Sequence, residues 1–283
     1  SGTARPPNLR PVPAHCTNRI IYRMKKSGIT ALLLAAITFT GTTQAQVGPP
    51  PFTPGAYLKA NNTGQQDAFG TVVAISGNTA VVGAPLEDSA TQNVNGNSAD
   101  NTADGAGAAY VYVKTGDTWS FQAYLKPRNA EAGDNFGRSV AIWGDTIVVG
   151  AVQEASNATG VNGNRNDNSM PGSGAAYVFV RSGTSWSQRA YLKASNTGPN
   201  DNFGRTVAIS GNTIVVGAVN EDSGDPTIDG NQLDDTAPGA GAAYVFARNG
   251  GVWTQQAYLK SDNIETGDGF GLEVAVHGDT AIV

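Results

Sequence analysis

A 67-residue period runs through most of this chain and restricts what it can fold into. Phe69-Gly70, Phe136-Gly137, Phe203-Gly204 and Phe270-Gly271 recur at that interval. So do Tyr57, Tyr124, Tyr191 and Tyr258, and so do Gly83, Gly150 and Gly217. An interval that does not drift implies a repeat architecture, in which one supersecondary unit is stacked on copies of itself and each covers its neighbour's apolar face.

Within a unit the pattern is strand, turn, strand. Val207, Ile209, Ile214, Val215 and Val216 are β-branched and suit a pleated, packed surface. Gly211-Asn212 lies between the two runs, where the other copies have Gly77-Asn78, Gly144-Asp145 and Gly278-Asp279. Gly followed by Asn or Asp suits a tight primed hairpin turn. A long polar loop follows, from Pro85 to Ala106, from Val152 to Ser173 and from Val219 to Ala240. A third strand begins at Gly107-Ala108-Ala109-Tyr110, Gly174-Ala175-Ala176-Tyr177 and Gly241-Ala242-Ala243-Tyr244, apolar on both faces. The fourth, Trp119 to Lys126 in the first copy, alternates apolar and polar residues and is expected to be half-solvated. A gradient from apolar inner strands to an alternating outer strand predicts an all-β fold, a β-propeller of four-stranded antiparallel blades. The chain would hold three full blades and the first half of a fourth, an open arc of about three and a half. Ala56 to Lys59 reads as a strand four standing alone.

The segment before the repeats has a different character. Met24-Lys25-Lys26, the apolar run Ile29 to Ile37 and Thr43-Gln44-Ala45 have the order of an export signal over residues 24–45. The apolar run is short for a membrane span. Residues 1–23 read as upstream of the true start, and 46–55 as a Pro-rich spacer. The one cysteine, Cys16, precedes the repeats, so no disulfide or Cys-based metal site is expected in them. Residues 1–45 hold six of the 18 basic residues and none of the 23 acidic ones, which leaves the remainder at a formal −11. That balance argues against nucleic acid or an anionic membrane as partner.

The run Phe69-Gly70, then a strand, then Val81-Val82-Gly83-Ala84-Pro85 resembles the FG-GAP repeat of the integrin α-chain propeller. The variants with Ala-Tyr-Leu-Lys and Gly-Ala-Ala-Tyr-Val-Phe resemble FG-GAP repeat proteins exported by bacteria. The resemblance covers residues 56–283, although later copies read Gly150-Ala151-Val152 and Gly217-Ala218-Val219. It implies a secreted or bacterial cell-surface protein that meets ligands on its loop face, and a ring of seven units, needing roughly 470 residues. It also implies calcium between strands one and two, but Ser76-Gly77-Asn78-Thr79 is too short to supply six oxygen ligands.

The loop joining strands two and three is the candidate site. Glu87, Glu154 and Glu221 open it; Asp100, Asp167 and Asp234 lie near its middle; Asp88, Asp104, Asp222 and Asp229 add charge. If calcium is bound, the expected ligands are Asp225, Asp229, Asn231 and Asp234, oxygen donors around a glycine turn. The alternative is a solvated loop that hydrogen-bonds to itself. Asp67, Asp134, Asp201 and Asp268, two residues before each Phe, read as Asx turns. Trp119, Trp186 and Trp253 read as rim packing. The repeats contain one histidine, His277, and no histidine triad or His-rich metal site can be assembled. The expected function is a non-catalytic binding or adhesion module for an extracellular protein or glycan, with no membrane insertion once the signal is removed. An accessory propeller of a larger secreted hydrolase and a surface-layer component are the alternatives.

Overall fold

The computed structural model describes residues 21–23 and 55–283. The expected export signal and all of the spacer but Gly55 lie outside the described residues. After β1 (Ile21–Arg23), the first sheet comprises β2 (Val72–Ser76), β3 (Thr79–Ala84), β4 (Ala108–Thr115) and β5 (Thr118–Leu125). The second comprises β6 (Phe136–Trp143), β7 (Thr146–Ala151), β8 (Ala175–Ser182) and β9 (Ser185–Leu192). The third comprises β10 (Phe203–Ser210), β11 (Thr213–Ala218), β12 (Ala242–Asn249) and β13 (Val252–Leu259). Each is an antiparallel meander whose sheet order is its chain order. A half-built fourth sheet pairs β14 (Ala275–His277) with β15 (Thr280–Ile282), and β1 adds to the free edge of β15. The residues expected to lie upstream of the start thus supply, at 21–23, one strand of this last sheet.

Local chemistry accounts for the strands. The β2–β3, β6–β7 and β10–β11 hairpins close on two-residue turns whose first residue, Gly77, Gly144 or Gly211, has φ between 54 and 58°. Positive φ at the first position but not at the second, Asn78, Asp145 or Asn212, is the signature of a type II′ turn. Strand four alternates exposed residues with more buried ones over its first half, including buried Trp186 and Trp253, and ends buried at Ala123-Tyr124-Leu125, Ala190-Tyr191-Leu192 and Tyr258-Leu259.

The core lies between sheets rather than within any one of them. Val81, Ala109, Val111, Ala123 and Leu125 of the first sheet join Phe136, Ile147, Val149, Tyr177 and Phe179 of the second in one cluster. Val148, Ala176, Val178 and Leu192 join Phe203, Ile214, Val216, Tyr244 and Phe246 in the next. Innermost strands β2, β6, β10 and β14 are neighbours in that order, which gives an open propeller arc of three blades and a partial fourth.

Backbone proximity holds the arc together. Phe203 and Thr206 pair with consecutive residues Ala218 and Gly217, so Gly204-Arg205 bulges out of β10. The bulge pushes the Gly204 carbonyl against Gly150 of the preceding blade, where a Cβ would overlap it. Gly83 meets the Gly137 carbonyl and Gly217 the Gly271 carbonyl in the same way. Gly204 itself has φ +86°, a conformation that L side chains rarely adopt. The two glycine motifs therefore recur because one belongs to each side of a blade interface.

One expectation needs correction. Residues 56–60 form no strand. Leu58 and Ala60 still pack on the first sheet, and the Tyr112 hydroxyl donates to the Lys59 carbonyl at 2.8 Å. With no sheet of its own to pair with, the segment lies over the first blade without a ladder, and Tyr57 is exposed where Tyr124, Tyr191 and Tyr258 are buried.

Candidate binding face

The long loops and the linkers between blades meet on one face of the arc. Gly133 and Asn135 N–H groups donate to the Asp104 and Gly105 carbonyls at 2.8 and 3.0 Å. Asn200 and Asn202 donate to Pro171 and Gly172, and Gly267 and Gly269 to Pro238 and Gly239. Each long loop is thus clamped by the linker that enters the next blade.

Glu87, Glu154 and Glu221, expected on this face, are buried beneath it instead. Each pairs with the lysine that ends strand four: Lys126–Glu87 at 3.2 Å, Lys193–Glu154 at 3.0 Å and Lys260–Glu221 at 2.8 Å. The second and third units carry the same set of partners, with Tyr258, Asn196 and Ser223 around Glu221. The Glu154 carboxylate also accepts from the Tyr191 hydroxyl at 2.7 Å, the Asn129 amide at 3.2 Å and the Ser156 N–H at 3.2 Å. The physical reason is desolvation: a carboxylate can be held inside only if a cation and several donors surround it. These three residues anchor the loop and do not line its surface. Burial holds the amines of Lys126 and Lys193 below the ordinary lysine range, against the opposing pull of Glu87 and Glu154.

The other acids remain at or near the surface, and most are engaged by their own loop. Asp88 and Asp222 accept from the N–H groups of Gly105 and Gly239 at 2.8 and 2.7 Å. Asp100 accepts from Ala90 and Thr102, and Asp167 from Asn157 and Ser169. Among the expected calcium ligands, Asp225 accepts from Thr227 and Asn231, Asp229 from Tyr258, and Asp234 from Thr236, all backbone N–H groups; Asn231 accepts from Leu233. Among the described residues no three His, Cys, Asp or Glu side chains converge as a metal-holding group. Asp104 and Asp235 are exposed.

The turn-forming aspartates do not make the Asx turns expected of them, which would engage an N–H two residues on. Asp67, Asp134, Asp201 and Asp268 each accept the N–H of the residue three before, at 2.6, 3.0, 2.8 and 2.7 Å. Burial pushes the Asp134 and Asp201 carboxyls up to about 7; the backbone donor opposes this, and nearby Glu154 or Glu221 adds to it. Trp186 and Trp253 are buried at the rim with Arg181 and Arg248 stacked over them at 5.1 and 5.2 Å. His277 sits at the end of β14, at the last hairpin turn.

The lysine–glutamate pairing escaped sequence reasoning, although a signal was present. Lys126, Lys193 and Lys260 keep the 67-residue interval, as do the three glutamates. Opposite charges fixed in register while the loop between them varies indicate a shared buried role.

A family model described as FG-GAP repeat matches residues 53–112, 119–179, 186–246 and 253–283. No curated protein matches the chain.

Proposed function

This chain belongs to the FG-GAP repeat family, and from that premise we propose that it is an exported, non-catalytic module that binds a protein or glycan through its acidic loop face. The reading rests on one division of labour. The strands and their glycines are committed to blade stacking, whereas the three long loops and the linkers carry a set of exposed and partly exposed carboxylates on one face. Asp88, Asp100, Asp104, Asp167, Asp222, Asp229 and Asp234 are its candidate contacts. Such a face attracts cationic groups, and its attraction is screened by salt. The export signal read over 24–45 supports an extracellular or cell-surface setting.

The test is an array of extracellular proteins and glycans probed with the folded protein, followed by the variant Asp104→Lys/Asp235→Lys. A ligand that the wild type retains, that weakens as salt rises and that the variant loses without a change in melting temperature supports the reading. Equal binding by both proteins at every salt concentration refutes it.

A further inference from the structure

A polar cluster recurs beneath each long loop, and beneath the second it is buried throughout. Lys193, Glu154, Asn129 and Tyr177 are all buried there, Lys193 and Tyr177 at 0% exposure. One carboxylate spans two nitrogens: Glu154 Oε2 lies 3.0 Å from Lys193 Nζ, and Glu154 Oε1 lies 3.2 Å from Asn129 Nδ2. The Tyr177 hydroxyl donates to Asn129 Oδ1 at 3.0 Å. The site therefore holds a primary amine, a carboxamide, an acid–base group touching both, and a donor aimed at the carboxamide oxygen.

We propose that Lys193 and Asn129 form an intramolecular isopeptide bond, with Glu154 as the proton shuttle. Removed from water, an ammonium–carboxylate pair loses much of its advantage over the neutral amine and carboxylic acid. Transfer of one proton from Lys193 to Glu154 yields the nucleophile and the acid together. Lys193 Nζ attacks Asn129 Cγ, and the negative charge that develops on Oδ1 is met by the Tyr177 O–H, as a preorganised donor stabilises any tetrahedral oxyanion. Glu154 gives its proton to Asn129 Nδ2, the Cγ–Nδ2 bond breaks and ammonia leaves. Glu154 then takes the remaining proton from the new amide nitrogen. One C–N bond forms and one breaks, with no oxidant or reductant. Both groups are held on one carboxylate within a single folded chain, which makes the attack effectively unimolecular.

The second unit is the place for it. The matching amides Asn62 and Asn196 are only half-buried, whereas Asn129 is 3% exposed. The bond would join the linker that enters the second blade to the strand that ends it, so that the whole blade lies inside one covalent loop. Such a closure stabilises by restricting the unfolded chain.

Peptide masses test this on the wild-type protein, whatever its N-terminus. Trypsin cuts after Arg128, Arg138, Arg189 and Arg205, and ordinarily after Lys193. The expected product is a branched species joining residues 129–138 to residues 190–205, uncut at Lys193 and lighter than its two parts by one ammonia. Glu154→Gln and Lys193→Arg should each abolish it, and the soluble fraction of either variant suffices for the measurement. Recovery of linear 129–138 and linear 190–193 from the folded wild type, at full mass, would overturn the proposal and leave a plain ion pair.

Discussion

The carbonyl oxygen of Gly204 occupies the place where Gly150 would carry a side chain. These two residues belong to adjacent blades, and Ser139 supports the contact by donating its hydroxyl to the same carbonyl at 2.8 Å. Thr206 repeats the bond to Gly271 one blade later, at 2.9 Å. The interface is thus set by backbone approach as much as by side-chain packing.

Gly150→Ala should therefore destabilise the protein by roughly 1–3 kcal/mol, the cost of overpacking a close-packed interface. Gly211→Asn is the control. Gly211, unlike Gly150, has positive φ, but open space surrounds it and Asn tolerates that conformation. Urea denaturation should show a large loss for the first and a shift of no more than about 0.5 kcal/mol for the second.

Blade order decides what an identical residue contributes. Ile75 is 66% exposed in the first blade, while its counterpart Ile142, packed against that blade, is 8% exposed. Ile142→Ala should cost about 2–4 kcal/mol, and Ile75→Ala no more than about 0.5 kcal/mol. Equal losses in the two variants would show that the first blade's face is covered in solution.

Asp201 gives the stability a defined pH dependence. Burial pushes its carboxyl up to about 7 in the folded protein, from an ordinary value of 3.8. Between those values the folded state holds a proton that the unfolded state has released, so stability falls as pH rises and levels off above about 7. Asp201→Asn keeps an acceptor for the Gly198 N–H and has no charge to bury. It should gain stability relative to wild type from pH 4 to pH 7, by on the order of 2–4 kcal/mol at the plateau. Denaturant midpoints at pH 4.5 and pH 8 read this directly; a difference that shrinks at the higher pH contradicts it.

Calcium should leave the melting temperature unchanged. Asp225 and Asp234 already accept backbone N–H groups within the third loop, and Asp229 accepts that of Tyr258 on β13. An ion would have to displace those bonds to gain its oxygen ligands. Scans in millimolar calcium and in chelator check this, since a ligand specific for the folded state must raise the midpoint.

Much of the fold is legible from local chemistry. The 67-residue interval gives the unit, Gly77, Gly144 and Gly211 give the turns, and two-sided apolar runs such as Ile214 to Ala218 give the inner strands. Each depends on residues within a few positions of one another, where φ preferences and β-branching act directly. The export signal over 24–45 has no counterpart among the described residues.

Stacking decided the rest. Glu154 and Lys193 are 39 residues apart, and both belong to residue types that ordinarily face water; only the closure of the loop over strand four buries them together. Residues 56–60 carry the letters of a strand but lack a ladder, because a strand exists only where a neighbour offers hydrogen bonds. Ile75 and Ile142 have the same side chain in the same register, yet only Ile142 has a blade in front of it. Sequence alone set what each unit would become, because those preferences are local. Tertiary structure decided which carboxylates were surface and which were core, because desolvation depends on what is packed against them.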